Sequence, residues 1–263
     1  NSHVPLTRLS AAAQPLDEIV DLGGVEGDEL ERLRIASASS QDFWAVYLRF
    51  LDVLAQGDGA ASMAQVDTVR ERSDDPTRDL APLTHQIVEG GRAAAARGRE
   101  DDAHSIFLLA AAFSPDDPEV NVELARQAWA GGNLREAIDR FDRALTRDPD
   151  NLVALLGCAD SHIRLGEMSD ALELLQRAAV AHPDSTQALH NLGRLYVDLG
   201  RLDDGLAQYR RALPAAPDNA RVHFGVADAH FRKALLLRED GGDPAQELAD
   251  ARRAVERALA LER

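Results

Sequence analysis

The stretch TRDPDNLVALLGCADSHIRLGE, residues 146–167, decides the fold. It holds the chain's one cysteine, Cys158, with His162 four residues later. Read alone, it offers a Cys–His pair one helical turn apart. Its punctuation matters more. A proline, Pro149, stands before a polar pair, and about a dozen helix-forming residues follow before Gly166. The same punctuation recurs on both sides. Pro115, Pro149, Pro183 and Pro217 are each 34 residues apart, and so are Gly98, Gly132, Gly166 and Gly200.

Further columns keep that interval. Small residues recur at Ala103, Ala137, Ala171 and Gly205, at Ala110, Ala144, Ala178 and Ala212, and at Gly91, Ala125, Ala159, Gly193 and Ala227. Bulky ones keep step at Phe107, Phe141, Leu175 and Tyr209. Six columns in one register mark a repeat architecture rather than a short motif. Each has a physical reason. A glycine after a helical run ends it through a left-handed turn. A proline lacks an amide donor and restricts the residue before it, so it closes the second helix. Asp117, Asn151, Ser185 and Asn219 follow each proline by two and suit the N-cap of the next helix. Pro118 suits the first helical position. The small columns mark places where helices approach closely.

These residues resemble the tetratricopeptide repeat, a helix–turn–helix unit of 34 residues. The resemblance implies an all-α fold, a right-handed α-solenoid of helix-turn-helix repeats, preceded here by an irregular helical N-terminal extension. The matching units are 84–117, 118–151, 152–185 and 186–219, within a block 76–219. Residues 220–263 form an extended fifth hairpin that acts as a C-terminal cap. Its first helix runs on through FRKALLLRED. After GGDP, Asp243 is the expected cap and Pro244 the expected first residue of a helix ending near Leu261. Residues 1–40 read as an arm with a short helix. Residues 41–75 read as a diverged helical hairpin, stacked on the solenoid and carrying Phe43, Trp44, Tyr47 and Phe50.

Composition bounds the function classes. The chain has 263 residues, 45% of them apolar, with a net charge of −16. Such a field repels phosphate backbones, so nucleic acid is not an expected partner. No run approaches the roughly 20 apolar residues of a membrane helix. The compartment, cytoplasmic or periplasmic for a soluble chain, stays open. The chain begins at Asn1 without a signal-peptide core, which leaves a removed leader possible. One cysteine forms no internal disulfide and no cysteine-based zinc cluster. Cys158 shares a column with Leu124, Leu192 and Val226, so it reads as an inert core thiol. His162 shares one with Ala128, Tyr196 and His230 and reads as a packed ring. No metal and no cofactor are expected. Neither is an enzyme, because no Ser/His/Asp set, phosphate loop or HExxH appears.

In the family the resemblance points to, first helices line the concave side and bind protein segments there. Carried over residue by residue, that face comprises Arg92, Glu123, Arg126, Trp129, Asp160, Arg164, His190, Asn191, Arg194, Phe224 and Asp228. Chaperone-binding members grip a terminal carboxylate with Lys, Asn and Arg. Asn191 matches one asparagine of that set, but the lysines are missing, so that specificity is not expected. The arginines either pair with carboxylates of a ligand or with acids of their own chain. The expected function is a non-catalytic interaction scaffold for a protein or peptide segment, with a homodimer through terminal helices as a further possibility. The alternative is an accessory region of a larger enzyme or of an assembly or biogenesis factor.

Overall fold

The computed structural model describes residues 84–262. The arm, the 41–75 hairpin with its aromatic helix, and the junction at Pro76 and Pro82 lie outside the described residues. Ten helices and no strand occur among the described residues: α1 (Thr84–Ala96), α2 (Glu100–Phe113), α3 (Pro118–Ala130), α4 (Leu134–Arg147), α5 (Leu152–Leu165), α6 (Met168–Ala181), α7 (Thr186–Asp198), α8 (Leu202–Ala212), α9 (Ala220–Glu239) and α10 (Ala245–Leu261). The chain divides into two compact units, residues 1–127 and 128–263.

Local chemistry accounts for the helix ends. Gly98, Gly132, Gly166 and Gly200 all take positive φ, between 74° and 81°. At each, the glycine amide bonds three residues back and the next amide five back, as in Gly166 to Ile163 and Glu167 to His162. This is the Schellman closure, which satisfies carbonyls that a helix end would leave unpaired. The helix starts are capped as their residue types dictate. Asn151 accepts from the Ala154 amide, Ser185 from Ala188, Asn219 from Arg221 and Asp117 from Val120. α9 continues for 20 residues, as FRKALLLRED suggested, and stops at a fifth left-handed glycine, Gly241. One boundary differs. α10 begins at Ala245, and Pro244 precedes it, accepting the Leu248 amide while Asp243 caps Ala245. The proline supplies the first helical carbonyl rather than the first helical residue.

In unit 1, Ile87 and Val88 of α1, Ile106, Phe107 and Leu109 of α2, and Val120 and Leu124 of α3 form one buried cluster. In unit 2, consecutive helices from α4 to α10 pack on one another. Ala137, Ala144, Ala159, Ala171, Ala178 and Ala212 are fully buried. The bulky column works against missing side chains. A Cβ on Gly157 would lie 2.3 Å from the Phe141 ring, and one on Gly193 or Gly225 would lie 2.7 or 2.5 Å from the Tyr209 ring. The phenyl and phenol rings thus occupy the volume that a side chain on the neighbouring helix would take.

Cys158 is fully buried in this packing, its thiol aimed at Asp142 Oδ1 3.7 Å away. Burial pushes the thiol up to about 12, and the Asp142 charge adds to the shift. The thiolate that would attack or ligate is therefore absent near neutral pH.

Two outcomes follow from this packing. Gly157→Ala forces the Phe141 ring aside and lowers stability by about 1–3 kcal/mol, read as a lower urea midpoint. Gly132→Ala meets no atom within 4 Å and loses about 1 kcal/mol through its left-handed backbone alone. For Cys158, the unfolded thiol ionises near its ordinary 9.0 while the native one stays protonated. Native stability therefore falls as pH rises from about 9 to 10, by about 1 kcal/mol. Cys158→Ala removes that increment, and denaturation at the two pH values measures it. A thiol reagent that labels native Cys158 at pH 8 as fast as the unfolded chain would contradict the assignment.

Candidate binding face

The residues expected from the sequence lie on the first helices, α1 and α3 up to Gln127 in unit 1 and the end of α3, α5, α7 and α9 in unit 2. Within unit 1, Arg92 bonds Glu123 through Nε at 2.7 Å and Glu89 through Nη1 at 2.7 Å. Burial alone would lower the Arg92 pKa, but its bonds to Glu123 and Glu89 outweigh it and the group is raised. Glu123 is buried and lies between two guanidinium groups, with Arg126 Nη1 4.0 Å away. Arg126 keeps 63% of its side chain exposed.

Within unit 2, three of the expected residues close into a triangle. The Trp129 indole Nε1–H donates to Asp160 Oδ2 at 2.8 Å. Arg164 Nε lies 3.2 Å from the same oxygen, and its guanidinium carbon stands 4.0 Å over the Trp129 ring. One α3 residue and two α5 residues, one turn apart, thus share a hydrogen bond, an ion pair and a cation–π contact. Further along, His190 stacks on Tyr209 at 5.8 Å between centroids. Its buried Nδ1 has no hydrogen-bond partner among the described residues. Burial first, then Arg194 and Arg221, lower the His190 pKa, so the ring stays neutral around pH 7. Asn191 beside it is half-buried. Arg194 approaches Asp198 at 3.6 Å, and Arg232 links Asp198 at 3.5 Å to Asp228 at 2.9 Å. Phe224 and Phe231 are exposed.

Of the two roles open to the arginines, pairing within the chain accounts for Arg92, Arg164, Arg194 and Arg232. Their carboxylate partners lie one turn away on the same helix or on a neighbouring first helix. Repeat columns revealed which face these side chains occupy, but not these pairings. Arg232, the link between Asp198 and Asp228, was absent from the expected set of eleven residues.

The histidines are engaged as packed rings. His162 Nδ1 lies 2.7 Å from Glu167 Oε2, and His230 Nδ1 lies 2.5 Å from Glu247 Oε2. Each belongs to a group with a second carboxylate, Asp170 or Asp250, whose ligand-type atoms fall within 4.8 Å of one another. Cations of the chain already occupy these acids: Arg135 on Glu167, and Lys233 on Glu247 at 3.4 Å with Arg253 on Asp250. No helix among the described residues is long and apolar enough to cross a membrane.

Comparison with known proteins agrees with this geometry. The structure of MamA from Desulfovibrio magneticus RS-1, residue 41 to the end, is 20% identical with a TM-score of 0.57, covering 70% of this chain and 96% of its own. Another MamA structure is 18% identical with a TM-score of 0.56, covering 68% and 92%. YrrB, described as a tetratricopeptide-repeat protein with an unusual peptide-binding site, is 16% identical with a TM-score of 0.53, covering 67% and 84%. At these identities the likeness establishes the fold, an α-solenoid. No curated protein sequence matches the chain significantly. The family model for the tetratricopeptide repeat matches residues 128–187 and 168–229. That match lies on the stacked helical pairs of unit 2, so residues 128–229 are similar to tetratricopeptide repeats.

Proposed function

We propose that the chain is a non-catalytic interaction scaffold that holds a protein segment against its first-helix face. The tetratricopeptide repeats matched over residues 128–229, units that characteristically make protein contacts, support the scaffold. The observation that carries the segment-binding reading is the Trp129–Asp160–Arg164 triangle. Trp129 is half-buried and Arg164 exposed, so neither is consumed by the core. Both are nevertheless held in place by contacts to each other and to Asp160. Side chains fixed before a ligand arrives lose little entropy when it does. A flat indole capped by a guanidinium presents an apolar surface and two-pronged donors side by side, which suits an extended segment carrying an apolar residue next to a carboxylate. The peptide-binding site named for YrrB points the same way. Within unit 2, Arg194, Phe224 and Asp228 extend the face, and Arg126 belongs to the first-helix residues of unit 1. A second copy of the chain, meeting it through terminal helices, is a further partner in this reading.

A peptide array probed with the purified chain, followed by fluorescence polarisation on the peptides that bind, tests the face. Trp129→Ala and Arg164→Glu should each weaken binding about tenfold or more, the equivalent of roughly 1.4 kcal/mol, while the thermal midpoint changes little. Peptides that bind both variants as tightly as the parent would remove this face from the mechanism.

A further inference from the structure

The last hairpin of unit 2 has an open groove of about 460 Å³. α9 lines one wall with Phe224, Ala227 and Phe231, and α10 lines the other with Leu248, Ala251 and Val255. Both sets fall at spacings of three and four residues, so two apolar stripes run side by side. The repeat provides an internal control. One register earlier, the places of Phe231 and Leu248 are held by Val197 and Leu202, on the hairpin that α9 covers. There the exposures are 2% and 7%; on the last hairpin they are 48% and 44%. A terminal repeat that ended the stack in water would carry a polar outer face. This one carries two phenylalanines and a leucine.

Charge selects the occupant. Residues 220–263 hold eight basic and eight acidic side chains, so the chain's −16 resides entirely in residues 1–219. The polar residues beside the groove are already neutralised, Asp228 by Arg232 at 2.9 Å and Arg252 by Glu256 at 2.8 Å. A basic partner would be drawn to the rest of the chain rather than here. Two copies repel one another through their acidic portions, and this hairpin, with no net charge of its own, is an apolar surface on which that repulsion is weakened.

We infer that the groove is a self-association surface. Two copies meet about a two-fold axis, and α9 and α10 of each complete a four-helix layer in which Leu248 and Phe231 of one copy fill the groove of the other. This rests on the scaffold reading, since it names a second copy as one partner, but it requires no peptide and is measured without one.

Sedimentation velocity on the full chain tests it. The parent should pass from monomer to dimer as concentration rises, and more readily at about 0.5 M than at about 0.05 M salt, because screening weakens the acidic repulsion. Leu248→Glu and Phe231→Glu should each raise the dimer dissociation constant at least about tenfold. Leu248→Ser should raise it less. Val180→Glu, on the exposed face of α6, should leave it unchanged. Circular dichroism reports whether each variant keeps its helices, which is expected because the altered side chains are exposed. A parent that stays monomeric at several hundred micromolar overturns the inference, and so does a dimer indifferent to both glutamates. Peptide binding unaffected by Trp129→Ala and Arg164→Glu, with dimerisation intact, would instead count against the first-helix face alone.

Discussion

Stacking depends on one contact: an aromatic ring laid against a helix that lacks a side chain at the crossing. Tyr209 shows it most fully. Its ring touches α7 at Gly193 and α9 at Gly225, so one residue of α8 fixes both the helix before it and the helix after it. Phe141 makes the forward half of the contact at Gly157. Each ring buries on the order of 150 Å² or more, and a side chain added at the glycine it faces would have to displace it. Because each ring engages only its sequence neighbours, order passes from one hairpin to the next. Burial of Ala137, Ala171 and Ala178 follows from the same crossings.

The parts of the fold that rest on local chemistry were legible in the sequence. A glycine after twelve helical residues has one economical use, the left-handed closure found at Gly132 and Gly166. A proline two residues before Asn151 or Ser185 ends one helix and starts the next. The inert setting of Cys158 also followed from its column, since a residue interchangeable with Leu124 and Leu192 is a core residue. The side-chain pairings were not legible. Arg92 reaches Glu123 at an offset of 31 residues, while Arg232 reaches Asp198 at 34. A column fixes the face a residue occupies. Which acid an arginine selects depends on rotamer and on the tilt between helices, and neither has a sequence period.

Those pairings shape how an acidic chain can recognise anything. The arginines Arg92, Arg164, Arg194 and Arg232 are tied to carboxylates of their own chain, so the first-helix face offers oriented ion pairs rather than free positive charge. A ligand carboxylate must compete with Asp160 for Arg164, and a ligand cation must compete with Arg164 for Asp160. Exchanges of this kind contribute little net affinity, because both states satisfy the charges, but they penalise a ligand of the wrong sign or spacing. For a segment bound as proposed, affinity then falls to the apolar surfaces between the pairs, Trp129 in particular, and selectivity to the pairs themselves.

The open groove has its origin in the departure of the last hairpin from the 34-residue register. α9 runs to 20 residues where α5 and α7 have 14 and 13. Near the point where α5 and α7 end, α9 carries Lys233, which together with His230 holds Glu247 and so anchors the start of α10. The delay brings Ala258 to the place of Ala212, and with it Val255 to the place of Tyr209. Where the earlier hairpins hold Phe, Leu or Tyr at this place, the last one presents a short branched side chain. The ridge that would have met a following helix becomes the floor of a groove, flanked by Phe224 and Phe231, and only side chains arriving from outside the hairpin fill it.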